Sequence, residues 1–400
     1  MKFVLKNDLI ALKYFSILFL SLPLHRSYVS YANNSPLPHE NPNTTTDITS
    51  FADSPYAPQE HPAGFKGLPQ SNDLVHHQIN NQTQSLTSLN SSQNIDDDMR
   101  ERVAPDYLLR GEWWPEALNL PRIWGVSTGN GVTIAICDSG LHVENADIGP
   151  NVLIDKAKDV SNPYDRDNVE NGRYTGQGTA TAGIVAGVKD FRGINGIAYN
   201  SRIIPIQIAH YDNNLDLYSL DVSVSLCISY ASTLPEVAVI LVQATSPDGT
   251  IERFELPRYS IQRAIEMGKV VVIPAGDTTK SLDFEKEKPT GSIIVGGLSR
   301  NLKAAIFSNY GEAVTVSAFG EQVKTSWGRY GETRFFGGTA SAAAQLTGII
   351  ALMKEINPFL TPKEVKTLLE GSRLLRDDNR RVGGFIDTLD LIRKTAAYRN

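Results

Sequence analysis

Val132-Thr-Ile-Ala-Ile-Cys137, followed at once by Asp138-Ser-Gly140, is the stretch on which the fold turns. The run is too short for a core helix and lacks the polar alternation of a half-exposed strand. It therefore reads as a strand covered on both faces, with Asp138 at its carboxyl end. Working outward, residues 202–208, 237–242, 270–273, 293–295 and 314–316 have the same apolar character. Helical patterns separate or follow them at 178–187, 217–230, 261–267, 340–353, 362–370 and 388–395. Strands without polar alternation, spaced by helices, build a parallel sheet with helices on both faces. The expected fold class is α/β, three layers around a mostly parallel twisted sheet, without internal repeats.

Four short blocks carry chemistry. Asp138-Ser-Gly-Leu141, with Asn145-Ala-Asp-Ile148 after it, resembles the aspartate motif of the subtilases, the subtilisin-like serine proteases. Gly176-Gln-Gly-Thr-Ala-Thr-Ala-Gly183 is similar to that family's His-Gly-Thr-His-Val-Ala-Gly, with Gln177 where the histidine belongs. Ile273-Pro-Ala-Gly276-Asp277 resembles the Ala-Ala-Gly-Asn strand end that supplies an oxyanion donor. Gly338-Thr-Ala340-Ser-Ala-Ala-Ala344-Gln-Leu-Thr-Gly348 is similar to Gly-Thr-Ser-Met-Ala-x-Pro-His-Val-Ala-Gly, with Ala340 at the nucleophile and Ala344 at the proline. Gly193-Ile-Asn-Gly196, Phe307-Ser-Asn-Tyr-Gly311, Ala318-Phe-Gly320 and Gly383-Gly-Phe-Ile-Asp387 add support. The blocks occur in the family's order across residues 113–397.

The resemblance implies a subtilisin-like fold and, for an intact member, peptide hydrolysis by a nucleophile, a proton-accepting base and a carboxylate that orients the base. Asp138 keeps the orienting position. Gln177 has an amide that does not titrate near neutral pH, and Ala340 has no attacking atom. An ionised Asp277 offers acceptors where the family's asparagine offers a donor, so it opposes charge on the oxyanion. Losing serine or histidine alone costs an enzyme of this type about 10⁶-fold. The expectation is a proteolytically inactive homologue, a pseudoprotease that binds a peptide or protein. The alternative is a serine-type endopeptidase with relocated catalytic residues. Ser341 and His142 are its candidates, and His210 has no identifiable partner. Ser341 lies about 100° round a helix from position 340 and reads as a packing residue; His142 reads as a surface loop residue. Asp138 also has a purely structural reading, as an acceptor for loop amides. The resemblance places a peptide groove along Gln243, Ala244 and Thr245, which depart from the family's Ser-Leu-Gly.

Composition removes other classes. A net charge of −6 over 400 residues gives no basic footprint, so no nucleic-acid partner is expected. Gly176-x-Gly178 is no dinucleotide fingerprint, because the preceding 165–175 segment is polar and loop-like, so no nucleotide or other cofactor is expected. The loop after Gly187 lacks clustered oxygen ligands, so no metal is expected. No stable membrane span is expected either.

Lys2, Lys6 and Lys13 precede an apolar run at 14–24 with Pro23 inside it, and Ser30-Tyr31-Ala32 follows as a small-residue cleavage site. Residues 1–32 are read as a signal peptide and the product as secreted or periplasmic. Residues 33–104 are rich in Asn, Ser and Pro and are expected to be a disordered linker; Asn33, Asn43, Asn81 and Asn90 sit in glycosylation-type triplets. The subtilisin-like domain is placed at 105–400. Cys137 and Cys227 are the two cysteines. Spacing alone cannot decide their pairing, and two buried free thiols are the expectation.

Overall fold

The computed structural model describes residues 113–162, 169, 175–190, 193–209, 218–283, 289–376 and 379–398. The expected signal peptide, the linker, the first residues of the 105–400 domain and His210 lie outside them. So does part of the loop considered for a metal.

Among the described residues, thirteen strands and eight α-helices follow one another. In chain order they are α1 (Trp113–Ala117), α2 (Leu120–Ile123), β1 (Thr133–Asp138), β2 (Lys158–Asp159), α3 (Thr175–Ala186), β3 (Arg202–Gln207), α4 (Leu220–Thr233) and β4 (Val237–Val242). Next come β5 (Thr245–Ser246), β6 (Gly249–Thr250), α5 (Glu255–Glu266), β7 (Val270–Pro274), β8 (Ile293–Leu298) and β9 (Val316–Phe319). The chain closes with β10 (Val323–Trp327), β11 (Glu332–Phe336), α6 (Gly338–Ile356), α7 (Pro362–Gly371), β12 (Arg373–Leu374), β13 (Phe385–Ile386) and α8 (Thr388–Ala397). Nine strands form one sheet in the order β12-β13-β9-β8-β7-β4-β1-β3-β2, parallel throughout except for β12 against β13.

Both faces of this sheet are covered, and β1 shows how. Ile134 and Ile136 join the apolar cluster built with α3, α6, α7 and α8. Ala135 and Cys137 face the opposite cluster, where α4 and α5 contribute Val224, Ile228, Ile261 and Ala264. Each strand side chain thus loses its water whichever way it points, worth about 1.5–3 kcal/mol for a fully buried isoleucine or valine. The three-layer α/β expectation holds.

The cysteines correct the expectation of free thiols. Cys137 and Cys227 form a disulfide, with Cα atoms 6.1 Å apart and a sequence separation of 90. Cys137 points to the face that α4 covers, and Cys227 is on the buried side of α4, so packing delivers the pair within bonding range. Closing a loop of that length restricts the unfolded chain by about 4 kcal/mol on the chain-entropy estimate. Another tie fixes β1 from its other end. Glu355, near the end of α6, accepts the Ser127 hydroxyl at 2.7 Å and the amides of Thr128, Gly129 and Asn130 at 2.7, 2.6 and 3.1 Å.

Strand reversal occurs between β1 and β4: β3 lies on one side of β1, and the chain then crosses over to place β4 on the other. The crevice at such a reversal, beyond the carboxyl ends of the strands, is where open α/β sheets hold their ligands. Asp138 ends β1, Gln243 follows β4, and Asp277 follows β7.

Candidate functional site

Asp138 sits at the floor of this crevice, 3% exposed. One carboxylate oxygen accepts the Ser139 amide at 2.7 Å and the other accepts the Thr181 hydroxyl at 2.8 Å. Burial pushes its pKa up to about 6, against the pull of the Ser139 amide and the Thr181 hydroxyl. A group so placed switches charge in the mildly acidic range.

Thr181 reaches Asp138 because α3 runs close over the end of β1. A Cβ added at Gly178 would come within 1.8 Å of the Gly140 carbonyl oxygen, so only glycine allows this approach. The helix starts three residues ahead of the expected boundary, which puts Gln177 in its first turn. Gln177 and Thr181 are four apart and share a helix face. Gln177 is 7% exposed, and its amide oxygen is buried without a hydrogen-bond partner. The Gln243 side-chain amide donates to the Thr181 hydroxyl at 3.3 Å and to the Ala340 carbonyl at 2.9 Å. A continuous polar chain therefore runs from Asp138 through Thr181 and Gln243 to the backbone of Ala340, at the head of α6.

On the opposite wall, β7 ends in a loop that Asn309 holds by accepting the amides of Thr278 and Lys280 at 3.2 and 2.7 Å and donating to the Ala275 carbonyl at 2.9 Å. Asp277, partly exposed, projects from this loop onto the amino terminus of α6 and accepts the Thr339 amide at 2.8 Å. Burial pushes its pKa up while that amide pulls it down. The α6 N-cap residue, Gly337, offers no side chain to the helix. Asp277 thus serves as a cap supplied from elsewhere in the chain, favourably placed at the positive end of the helix dipole. Gly338, at φ +77°, keeps the carboxylate close, since a Cβ there would come within 2.7 Å of it.

Ala340 is partly exposed and presents only a methyl group, while Ser341 is fully buried beside Gln345, as its packing role requires. Of the three groove residues, Gln243 and Ala244 are 3% and 1% exposed and only Thr245 has a partly exposed side chain. Thr245 and Ser246 pair antiparallel with Thr250 and Gly249. His142 corrects the expectation of a surface histidine. It is partly buried, with its amide on the Thr179 hydroxyl and Nε2 3.0 Å from the Thr175 hydroxyl.

The β10–β11 hairpin was not anticipated, nor was its position against α3. Thr325 donates to the Ala180 carbonyl at 2.8 Å, Ser326 to Asp147 at 2.8 Å, and Asn145 to the Gly328 carbonyl at 2.9 Å. The Trp327 ring lies directly over Gly176, beside Gln177, and carries the Arg334 guanidinium 5.0 Å from its ring centre. Sequence reading also missed the roles of Thr181 and Gln243. The signal for Thr181 was present: a hydroxyl stands where the family motif has valine. Among the described residues, no group of three or more His, Cys, Asp or Glu side chains is placed to hold a metal ion, and no helix is long and apolar enough to cross a membrane.

Comparison with known proteins bears on the same region. The profile of the subtilase family matches residues 129–384. An extracellular protease of Xanthomonas campestris is 23% identical over 317 residues, covering 70% of this chain and 54% of that protein. A thermophilic serine proteinase of a Bacillus species is 29% identical over 270 residues, covering 63% of each. The chain therefore spans less than two thirds of these relatives' length. Among solved structures, a protease from Pseudoalteromonas arctica superposes with a TM-score of 0.59 at 23% identity, covering 71% of this chain and 97% of that one. The epidermin leader peptide processing serine protease from Staphylococcus aureus gives 0.61 at 16% identity, covering 75% and 83%.

Proposed function

The chain belongs to the subtilase family, and from that premise we propose that it is a proteolytically inactive member whose crevice binds a peptide or protein segment without cleaving it. One observation carries this reading. The line from Asp138 to residue 340, where an active enzyme has a histidine that takes the serine proton and an aspartate that orients that histidine, is here a side-chain amide and a hydroxyl. Thr181 and Gln243 hold it by hydrogen bonds to Asp138 and the Ala340 carbonyl. None of its members between the two ends takes up a proton near neutral pH. Asp277 presents a carboxylate where negative charge would develop, which works against the reaction.

Export is part of the proposal. The apolar run at 14–24 and the Ser30-Tyr31-Ala32 site support it, as does a disulfide, which forms and persists in oxidising compartments.

The test is incubation of the purified full chain with an end-blocked peptide library, read by mass spectrometry, beside labelling with a fluorophosphonate probe. No new peptide termini and no labelled serine are expected, and Ala340→Ser alone stays at background because no base accompanies the new hydroxyl. Specific cleavage, or a label on Ser341, overturns the binding-only account. The same mass spectrometry applied to chain recovered outside its native cell should read Asn33 as the first residue; an intact Met1 there counts against the signal-peptide reading.

A further inference from the structure

We propose that the group this crevice seats at its centre is a cationic N–H donor, the head of a lysine or arginine side chain or a peptide amino terminus, in the place where an active subtilase holds the scissile carbonyl. The inference rests on the peptide-binding reading and gives the chemistry of its ligand.

An oxyanion site is built from donors, and this one has been rebuilt from acceptors. The Gln177 amide oxygen is buried with no hydrogen-bond partner, and Gln177 as a whole is only 7% exposed. It lies on the α3 face that Thr181 turns toward Asp138 and Gln243. Asp277 is held at the head of α6 by the amide and the hydroxyl of Thr339, both neutral donors, and no cation among the described residues balances its charge. Among the described residues neither Asp138 nor Asp277 has a cation as partner. Arg334, which reaches this side of the molecule, is stacked on Trp327.

Meanwhile two donors that face this centre are taken. The Thr339 amide at the head of α6 is held by Asp277, and the Gln243 amide is held by Thr181 and the Ala340 carbonyl. A carbonyl arriving at the head of α6 meets the Asp277 carboxylate, which repels it. An ammonium or guanidinium meets at Asp277 a partly exposed carboxylate without a counter-ion, and a turn of the Gln177 side chain would offer its unsatisfied oxygen as a second acceptor. Asp277 and Ala340 are partly exposed, so the approach is from their side.

The experiment uses the full chain and three pentapeptides, alike except for one feature, with affinity measured by titration calorimetry. The first is blocked at both ends with a central lysine. The second is blocked with a central norleucine. The third has the norleucine and a free amino terminus. The lysine peptide should bind about 10- to 100-fold tighter than the blocked norleucine peptide, the range of a charge-assisted hydrogen bond in a buried setting. Asp277→Asn should remove most of that gap. Gln177→Met, which keeps bulk and removes the acceptor, should narrow it in part; thermal unfolding of both variants confirms that they fold. Preference for the third peptide over the second also supports the inference, with the terminus as source of the charge. Equal binding of all three overturns the inference and leaves peptide binding standing, as does a lysine preference that Asp277→Asn does not change. Failure of all three to bind overturns both.

Discussion

The carboxyl ends of β1 and β7 each carry an aspartate raised in pKa by burial, yet the two acids serve the molecule in opposite ways. Asp138 stands at the position the subtilase motif reserves for catalysis. Both of its oxygens are absorbed by its own neighbours, Ser139 and Thr181. Asp277 replaces a residue of the motif, and it holds the head of α6 from a partly exposed position. Keeping a motif residue therefore does not keep its role, and losing one can create another. What decides the role is which hydrogen-bond partners are free to face an incoming ligand.

The sharpest way to break this contrast is to rebuild the reaction. A variant combining Gln177→His, Asp277→Asn and Ala340→Ser restores three motif residues but leaves Thr181 bonded to the carboxylate that should orient the new imidazole. Adding Thr181→Val should raise turnover of a chromogenic peptide on the order of 10²-fold, since full loss of the orienting carboxylate costs about 10⁴-fold. Equal turnover with and without Thr181→Val would show that Asp138 is not sequestered.

Stability against pH gives the next effect. Burial shifts Asp138 from 3.8 to about 6, so between those values the folded state binds the proton that the unfolded state has released. Its contribution therefore becomes increasingly unfavourable as pH rises from about 4 to 6 and stays so above that. Asp138→Asn should stabilise the fold by about 3 kcal/mol at pH 8 and by little at pH 4, read by urea unfolding. A gain that does not vary with pH would remove the buried-charge account.

The smallest effect has the opposite sign. Asp277→Ala should destabilise by about 1 kcal/mol at pH 4 through loss of the cap on Thr339, and by less at pH 8, where the buried charge is itself unfavourable, measured the same way. If both substitutions shift stability in the same direction, the distinction between the two strand ends is wrong.

The sheet could be read from sequence because burial on both faces removes polar alternation, as in β1 and β4. The site blocks could be read because each sits where a strand or helix must end or begin. Three things were hidden for one physical reason: they depend on what crosses the crevice or a sheet face, not on local pattern. Cys137 and Cys227 meet only after α4 has packed on the sheet. Gln243 bridges α3 and α6, and Asp277 caps a helix sixty residues further on. The β10–β11 hairpin was lost differently. Residues 332–335 are all exposed and the strand opens Glu-Thr-Arg, so no apolar run or alternation announces β11.

The Cys137–Cys227 bond places one of its sulfurs in the residue next to Asp138, with both cysteines sealed from solvent. Such a bond has to be made while the chain is still assembling, because a finished core leaves no path for an oxidant. Recombinant protein from a thiol-reducing host would therefore carry an unstitched β1–α4 contact at the very edge of the crevice. Assays of this molecule depend on where it was folded as much as on what it is mixed with.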